Sequence, residues 1–231
     1  YTMDQIMPVI QPISVETHAL NNPSLNYSIY LTNMLVPGII LLVVFLATTY
    51  SIGLEWKRKS HKEWYEKSGN SVMVALFGKL LPQALVFMLV FVAMDVYLYK
   101  IQHFVLNCSM WRIIFIQLLS VLASQGFAAA IFGILAGQMR MAMSVASLLG
   151  VLSVSLSGFT FPVMAMPKLM QSVAWCLPLR HYFLLYVSQV LNGFPMMCSW
   201  KSIAILLTIA ALPLLFVRVY RYAFENVDYK A

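Results

Sequence analysis

Between Leu31 and Leu54 the chain runs for 24 residues without a single Asp, Glu, Lys or Arg. About 20 consecutive apolar residues are what an α-helix needs to cross the ~30 Å hydrocarbon core of a bilayer. No water is available there, so the backbone must satisfy its own hydrogen bonds, and a helix does this within one segment. Four further apolar runs come after it, and spans are predicted over about 30–53, 79–99, 111–136, 141–161 and 200–220. Charged residues make up 10% of the sequence and mean hydropathy is +0.80, whereas a soluble domain carries about 25% charged residues. The chain is therefore read as an all-α integral membrane protein with about five transmembrane helices. A transmembrane β-barrel would show ~10-residue segments of alternating hydrophobicity, and no such segments occur.

Breakers divide these runs. Residues 1–29 are polar and rich in breakers, with Pro8, Pro12 and "NNPSLN" (21–26). In the first span "VPG" (36–38) places Pro37 where the helix should kink or properly begin. Only "GQMR" (137–140) separates the third and fourth spans, which predicts a tight helical hairpin. The stretch 162–200 is too apolar for an ordinary loop. Gly158 and Pro162 stop the fourth span, Pro167 and Pro178 divide the chain beyond it, and each piece is too short to cross. Two helices that dip into the membrane over 162–193 and return are the expected form; an amphipathic loop resting on the membrane is the alternative. Small residues recur every four positions at Ala129, Gly133 and Gly137, and again at Ala142, Ala146 and Gly150, which lets helices approach closely.

The charges concentrate in "GLEWKRKSHKEWYEK" (53–67), where eight of fifteen residues are ionised. At about 2.5–3.5 kcal/mol per charged residue at a helix centre, this connection stays out of the bilayer. Ser60-His61-Lys62-Glu63 fits a capping box, so a short helix is expected from about Ser60 to Lys67, ended by Gly69-Asn70. Trp56, Ser60 and Trp64 recur at i, i+4, i+8, a spacing that would lay both indoles at the lipid–water boundary. A lipid anchor attracted to anionic headgroups would explain the bases but not Glu55, Glu63 and Glu66. A docking helix uses both signs for specificity. Ten Lys and Arg residues (57, 58, 59, 62, 67, 79, 140, 218, 221 and 230) fall on this side, against Lys100, Arg112, Lys168, Arg180 and Lys201 on the other. The bias makes the charged connection and the C-terminal tail cytoplasmic. The net charge of +7 follows this topology, so no nucleic-acid partner is inferred.

Chemistry-bearing motifs are absent. The sequence holds no phosphate-binding loop, no H-E-x-x-H, no G-x-S-x-G and no metal-ligand spacing, so no catalytic or metal-binding residue is assigned. Cys108, Cys176 and Cys198 read as apolar fillers, with a Cys176–Cys198 bridge left open. Asp95 reads as an interfacial acid close to Lys100, and His103 and His181 as loop residues. A non-transporting membrane scaffold or assembly protein remains an alternative; an intramembrane enzyme would need a deep polar pair that the spans lack.

The order of these parts resembles the permease subunit of type 2 ABC transporters, in the bacterial exporter branch with a large extracytoplasmic domain. The likeness rests on "NNPS", "LVPGII" (35–40), "GLEWKRKSHKEW", "LFGKLLP" (76–82), and "LSGFTFPVMAMP" followed by "LPLRHYF" (177–183). It implies a transmembrane domain over 30–231, six helices in the whole protein, and residues 1–29 as the tail of the extracytoplasmic domain, the chain being a C-terminal portion. It implies a coupling helix over 55–67, with Glu55, Lys57, Arg58, Ser60, Glu63 and Trp64 meeting a cytosolic ATPase. It implies an outer gate at Gly158, Phe161, Pro162, Met166, Pro167 and Pro178. It implies a homodimer or a heterodimer with a related permease, the bacterial inner membrane as location, and a periplasmic membrane-fusion adaptor as a further partner. This chain would need no cofactor; ATP and magnesium would be held by the ATPase.

Overall fold

Uninterrupted apolar runs become helices, most of them longer than the predicted spans. The computed structural model describes residues 26–135 and 138–227, without the side chains of residues 29 and 30. The expected extracytoplasmic tail, Gly137 and Lys230 lie mostly or wholly outside these residues. Helix α1 (Tyr27–Lys57) is N-capped by Asn26, whose side chain accepts from the Ser28 N–H at 2.9 Å. The helix is continuous through Pro37, so it does not begin at "VPG". Bundle packing supports the proline: Pro37 is buried, and Leu179 lies 3.8 Å from where a Cβ on Gly38 would sit.

A short α2 (His61–Lys67) precedes α3 (Val72–Asp95). Helix α3 starts seven residues before the expected boundary, leaving Lys79 and Pro82 inside it, and continues as a π-helical stretch, Val96–Ile101. Helices α4 (Met110–Ile134) and α5 (Met139–Leu156) come next. Helix α5 ends before Gly158, whose φ of +95° leaves the right-handed helical region, so the fourth span is shorter than 141–161. Beyond it lie a 3-10 turn (Val163–Ala165), α6 (Lys168–Cys176), α7 (Pro178–Tyr186) and a second π stretch, Val187–Leu191. Helix α8 (Trp200–Ala211) passes through a 3-10 segment at Leu212–Phe216 into α9 (Val217–Asn226), carrying the last helical run beyond residue 220. Among the described residues, five helical runs are long and apolar enough to cross a membrane: Leu31–Lys57, Val72–Ile101, Met110–Ile134, Met139–Leu156 and Met196–Asn226. No strand occurs among the described residues. The molecule is an all-α integral membrane protein.

Helix α4 is the axis on which α1, α3, α7 and α8 pack, while α1 also lies along α5. The small residues make this possible. Ala142, Ala146 and Gly150 are buried, and a Cβ on Gly150 would run into Leu42 on α1. At Gly126 of α4 a Cβ would stand 2.7 Å from the carbonyl oxygens of Ile209 and Ala210. Pro213 has no N–H to give Ile209 O, which accepts instead from the Leu212 N–H as the helix tightens into the 3-10 segment. Two large apolar clusters result. One gathers Ile52, Trp56, Tyr65, Leu76, Phe132, Tyr220 and Phe224 beneath the charged connection. The other gathers Phe91, Leu98, Ile113, Ile116, Tyr182 and Tyr186 towards the opposite end.

Candidate coupling interface and hairpin latch

The charged connection is built as a reversal between two helices. Helix α1 ends at Lys57, Lys59 takes a φ of +59°, and Ser60 begins α2; Gly69 and Asn70, at φ +67° and +57°, turn the chain into α3. The seven residues of α2 sort by face. His61 and Tyr65 are buried and Trp64 is half-buried, while Lys62, Glu63, Glu66 and Lys67 are exposed. Lys57, Arg58 and Lys59 are exposed beside them. On the outward face Glu63 pairs with Lys67 at 2.7 Å and holds its ammonium above the ordinary lysine value. Such a solvent-bathed i,i+4 pair adds little stability.

Two expectations fail here. Ser60 occupies the N-cap position but makes no side-chain cap bond; its hydroxyl donates to the Glu55 carboxylate. The lone pairs of the hydroxyl stay free, but the Ser60 backbone, at φ −92° and ψ 1°, is not in the extended conformation of a capping residue, and the carboxylate it bonds is held by the ammonium of Lys79 from α3. Trp56 does not lie at the lipid boundary. The turn at Lys59 breaks the helical phase between the two indoles, and Trp56 is fully buried. It stacks on His61 (ring centroids 5.3 Å apart) and touches Phe224 (4.9 Å), Phe132 (5.2 Å) and, edge-on, Trp64 (6.2 Å). Lys79 reaches over the Trp64 ring at 4.7 Å, a cation–π contact.

Of the six residues expected at this interface, Lys57, Arg58 and Glu63 thus face out. Glu55, Ser60 and Trp64 face in and hold α2 on the bundle. Sequence reasoning missed two residues of this seat, Lys79 and Phe224. Phe224 stacks on Tyr65 at 4.8 Å and belongs to the i, i+3, i+4 set Tyr220, Ala223, Phe224, an apolar stripe legible in the sequence.

At the far end, α5 and α7 are joined by a side chain that sequence reasoning did not single out. Arg180 donates from Nη1 to Ser157 O at 2.7 Å, and Ser157 is the C-cap of α5. A cation at a helix C-terminus also meets the negative end of its dipole. Gly158 is required on two counts: its φ is left-handed, and a Cβ would collide with the Arg180 guanidinium. Pro162 precedes the 3-10 turn, Gln171 donates to Met166 O at 2.8 Å, Pro167 caps α6, and Pro178 is the first residue of α7. Phe161 is half-exposed.

His181 is not a loop residue; it is fully buried on α7. Its Nε2 donates to Trp175 O at 2.8 Å, because a carbonyl can only accept. Burial pushes its pKa down, the Trp175 carbonyl opposes this, and Arg180 pushes it down further. Asp95 is likewise no interfacial partner of Lys100: it is buried and accepts from Gln117 Nε2 at 2.9 Å. The three cysteines are free.

Long apolar helices thus pack around one axial helix, with a two-signed helix seated on one end. Residues 2–218 match the family described as ABC-2 family transporter protein. The chain belongs to that family: it is a transmembrane permease component of an ABC transporter, a class whose membrane part works with an ATPase partner. No curated protein matches it.

Proposed function

We propose that this chain is an exporter permease that works as one of two facing copies, identical or related, and is driven through α2 by a cytosolic ATPase. The observation that carries this reading is the division of α2 into a buried aromatic face and an exposed face bearing Lys62, Glu63, Glu66 and Lys67. A helix so seated moves with the bundle while offering both charge signs to a protein surface. The Lys/Arg bias puts this end in the cytoplasm, and the bacterial inner membrane is the expected location. A push on α2 is passed by Trp56 to α1, by Phe132 to α4 and by Phe224 to α9. Helices α1 and α5 border the shared pathway, and α6 and α7, held by Arg180, close its outer end. The exposed face of α5 supports this. It carries Ser144, Ser147 and Ser155, whose hydroxyls donate to Arg140 O, Ser144 O and Val151 O, so beyond Arg140 at its start the wall is uncharged and bears acceptors.

Charge reversal on the exposed face is the test. The pair Glu63→Lys and Glu66→Lys should abolish co-purification of the ATPase and ATP-dependent transport, with membrane insertion and thermal midpoint unchanged. Retention of the ATPase at wild-type levels would overturn the coupling role.

A further inference from the structure

Asp95 ends the α-helical part of α3, and the chain continues past it as the π stretch Val96–Ile101. It lies six residues short of Ile101, and Gln117 lies seven residues into α4 from Met110, so each is about 10 Å inside the outer end of its helix. Both side chains are buried, at 1% and 0% exposed. One hydrogen bond joins them, from Gln117 Nε2 to Asp95 Oδ1 at 2.9 Å. The second polar atom of each group, Asp95 Oδ2 and Gln117 Oε1, is also buried and has no hydrogen-bond partner. Among the described residues Asp95 forms no ion pair, and the nearby bases Lys100, His103 and Arg112 are all exposed. The titratable groups around it are the hydroxyls of Tyr99, Tyr182 and Tyr186 and the thiol of Cys108. Tyr99 and Tyr186 bond each other at 3.0 Å, while the buried Tyr182 hydroxyl has no partner.

The donor and acceptor inventory decides how this contact is completed. An ionised carboxylate has only acceptors, and an amide oxygen is an acceptor too. Oδ2 and Oε1 then have nothing to share, and a charge stands unpaired at membrane depth, where that is costly. One proton changes this. On Oδ2 it makes an O–H donor that can turn to Gln117 Oε1, and the two side chains close the two-bond ring of a carboxylic acid with a primary amide. Both remaining atoms are then satisfied. The geometry points to a proton-binding site at Asp95, in which the neutral acid clasps α3 to α4 next to Tyr182 of α7, so that packing at the outer end of the bundle responds to pH. Loss of the proton to water sets two acceptors against each other beside a buried charge, and the clasp loosens. The site stands whether or not the chain is an exporter.

Infrared spectroscopy tests it. The whole protein is labelled with carbon-13 at its aspartate carboxyl groups and held in dodecyl maltoside, which has no ester carbonyl to mask the signal. Near neutral pH the labelled C=O stretch of a protonated carboxylic acid is expected, and Asp95→Asn should remove it. Asparagine places an amide N–H where the acid O–H would be, so Asp95→Asn should keep the wild-type thermal midpoint. Asp95→Leu strands the Gln117 amide and should lower the midpoint by roughly 2–8 °C. Raising the pH should lower the wild-type midpoint relative to that of Asp95→Asn, because only the wild type can lose the proton. Absence of the protonated band from the wild type would overturn the proposal, as would equal damage by Asn and Leu. A charged Asp95 held by the Tyr182 hydroxyl would produce that outcome, with Tyr182→Phe as harmful as Asp95→Asn. The band is read on the unaltered protein, so a variant that misfolds leaves the proposal open to refutation.

Discussion

Glu55 shows how far one carboxylate can shape a junction. It sits on the last turn of α1, yet its partners are Lys79 on α3 and Ser60 at the start of α2, so three elements meet on one side chain. Both members of the ion pair are mostly buried, at 25% and 19% exposed. Removing one member of such a pair strands the other in a poorly solvated place, which costs more than the pair itself contributes. Glu55→Gln and Lys79→Met should each lower stability by about 1–3 kcal/mol, and the double variant should cost clearly less than the sum. A double-mutant cycle on thermal unfolding in detergent reads this directly; simple additivity would mean that the two groups do not depend on each other. The pairing spans 24 positions of sequence, and no spacing rule announces it. A capping box does announce itself in sequence, and Ser60 satisfies its pattern without taking the extended backbone conformation that capping needs.

At the scale of elements, α2 is too short to be stable alone, since isolated helices below about 12–15 residues are marginal in water. Its hold comes from the aromatic seat: Phe224 on α9 faces Trp56, Trp64 and Tyr65 at ring distances of 4.9, 5.3 and 4.8 Å. Phe224→Ala should cost about 3–5 kcal/mol at this buried site. Its more telling effect would be local: hydrogen exchange over 58–70 should accelerate while α4 stays protected. Uniform acceleration across all helices would show that the seat supports the whole bundle rather than α2. The existence of α2 was legible because charges cannot enter lipid and because Gly69-Asn70 ends the helix. The burial of Trp56 was not legible, since an i, i+4, i+8 spacing shares a face only within one continuous helix and the φ of +59° at Lys59 interrupts it. Similarly, α7 reads in sequence as a short apolar piece. Only the packed structure shows it pressed onto the bundle through Tyr182, Leu185 and Tyr186.

For the whole molecule, apolar run length sets the number of spanning helices but not which helix lies at the centre, because α3, α4 and α8 are about equally apolar. Centrality is decided by where backbones can touch. Gly126, Ala129 and Gly133 give α4 close faces towards α8 and α9, and Tyr220 donates to Ala129 O at 2.6 Å across that contact. Side-chain chemistry likewise separates the faces still exposed. Leu85 on α3, Leu207 on α8 and Leu148 on α5 are similarly exposed, at 68%, 55% and 61%. Exposure alone therefore does not tell lipid from a second copy. The side chains beside them differ: Ser144, Ser147 and Ser155 accompany Leu148, while large apolar side chains dominate around Leu85 and Leu207, with one hydroxyl at Thr208. If two copies meet along α1 and α5, a cysteine at Leu148 lies near its twin, whereas cysteines at Leu85 or Leu207 face lipid. With Cys108, Cys176 and Cys198 changed to serine, oxidation in native membranes should cross-link Leu148→Cys into a dimer and leave Leu85→Cys and Leu207→Cys monomeric. Cross-linking at Leu207 instead would place the second copy over the α3–α8 face, and the pathway would then have to be redrawn around α8.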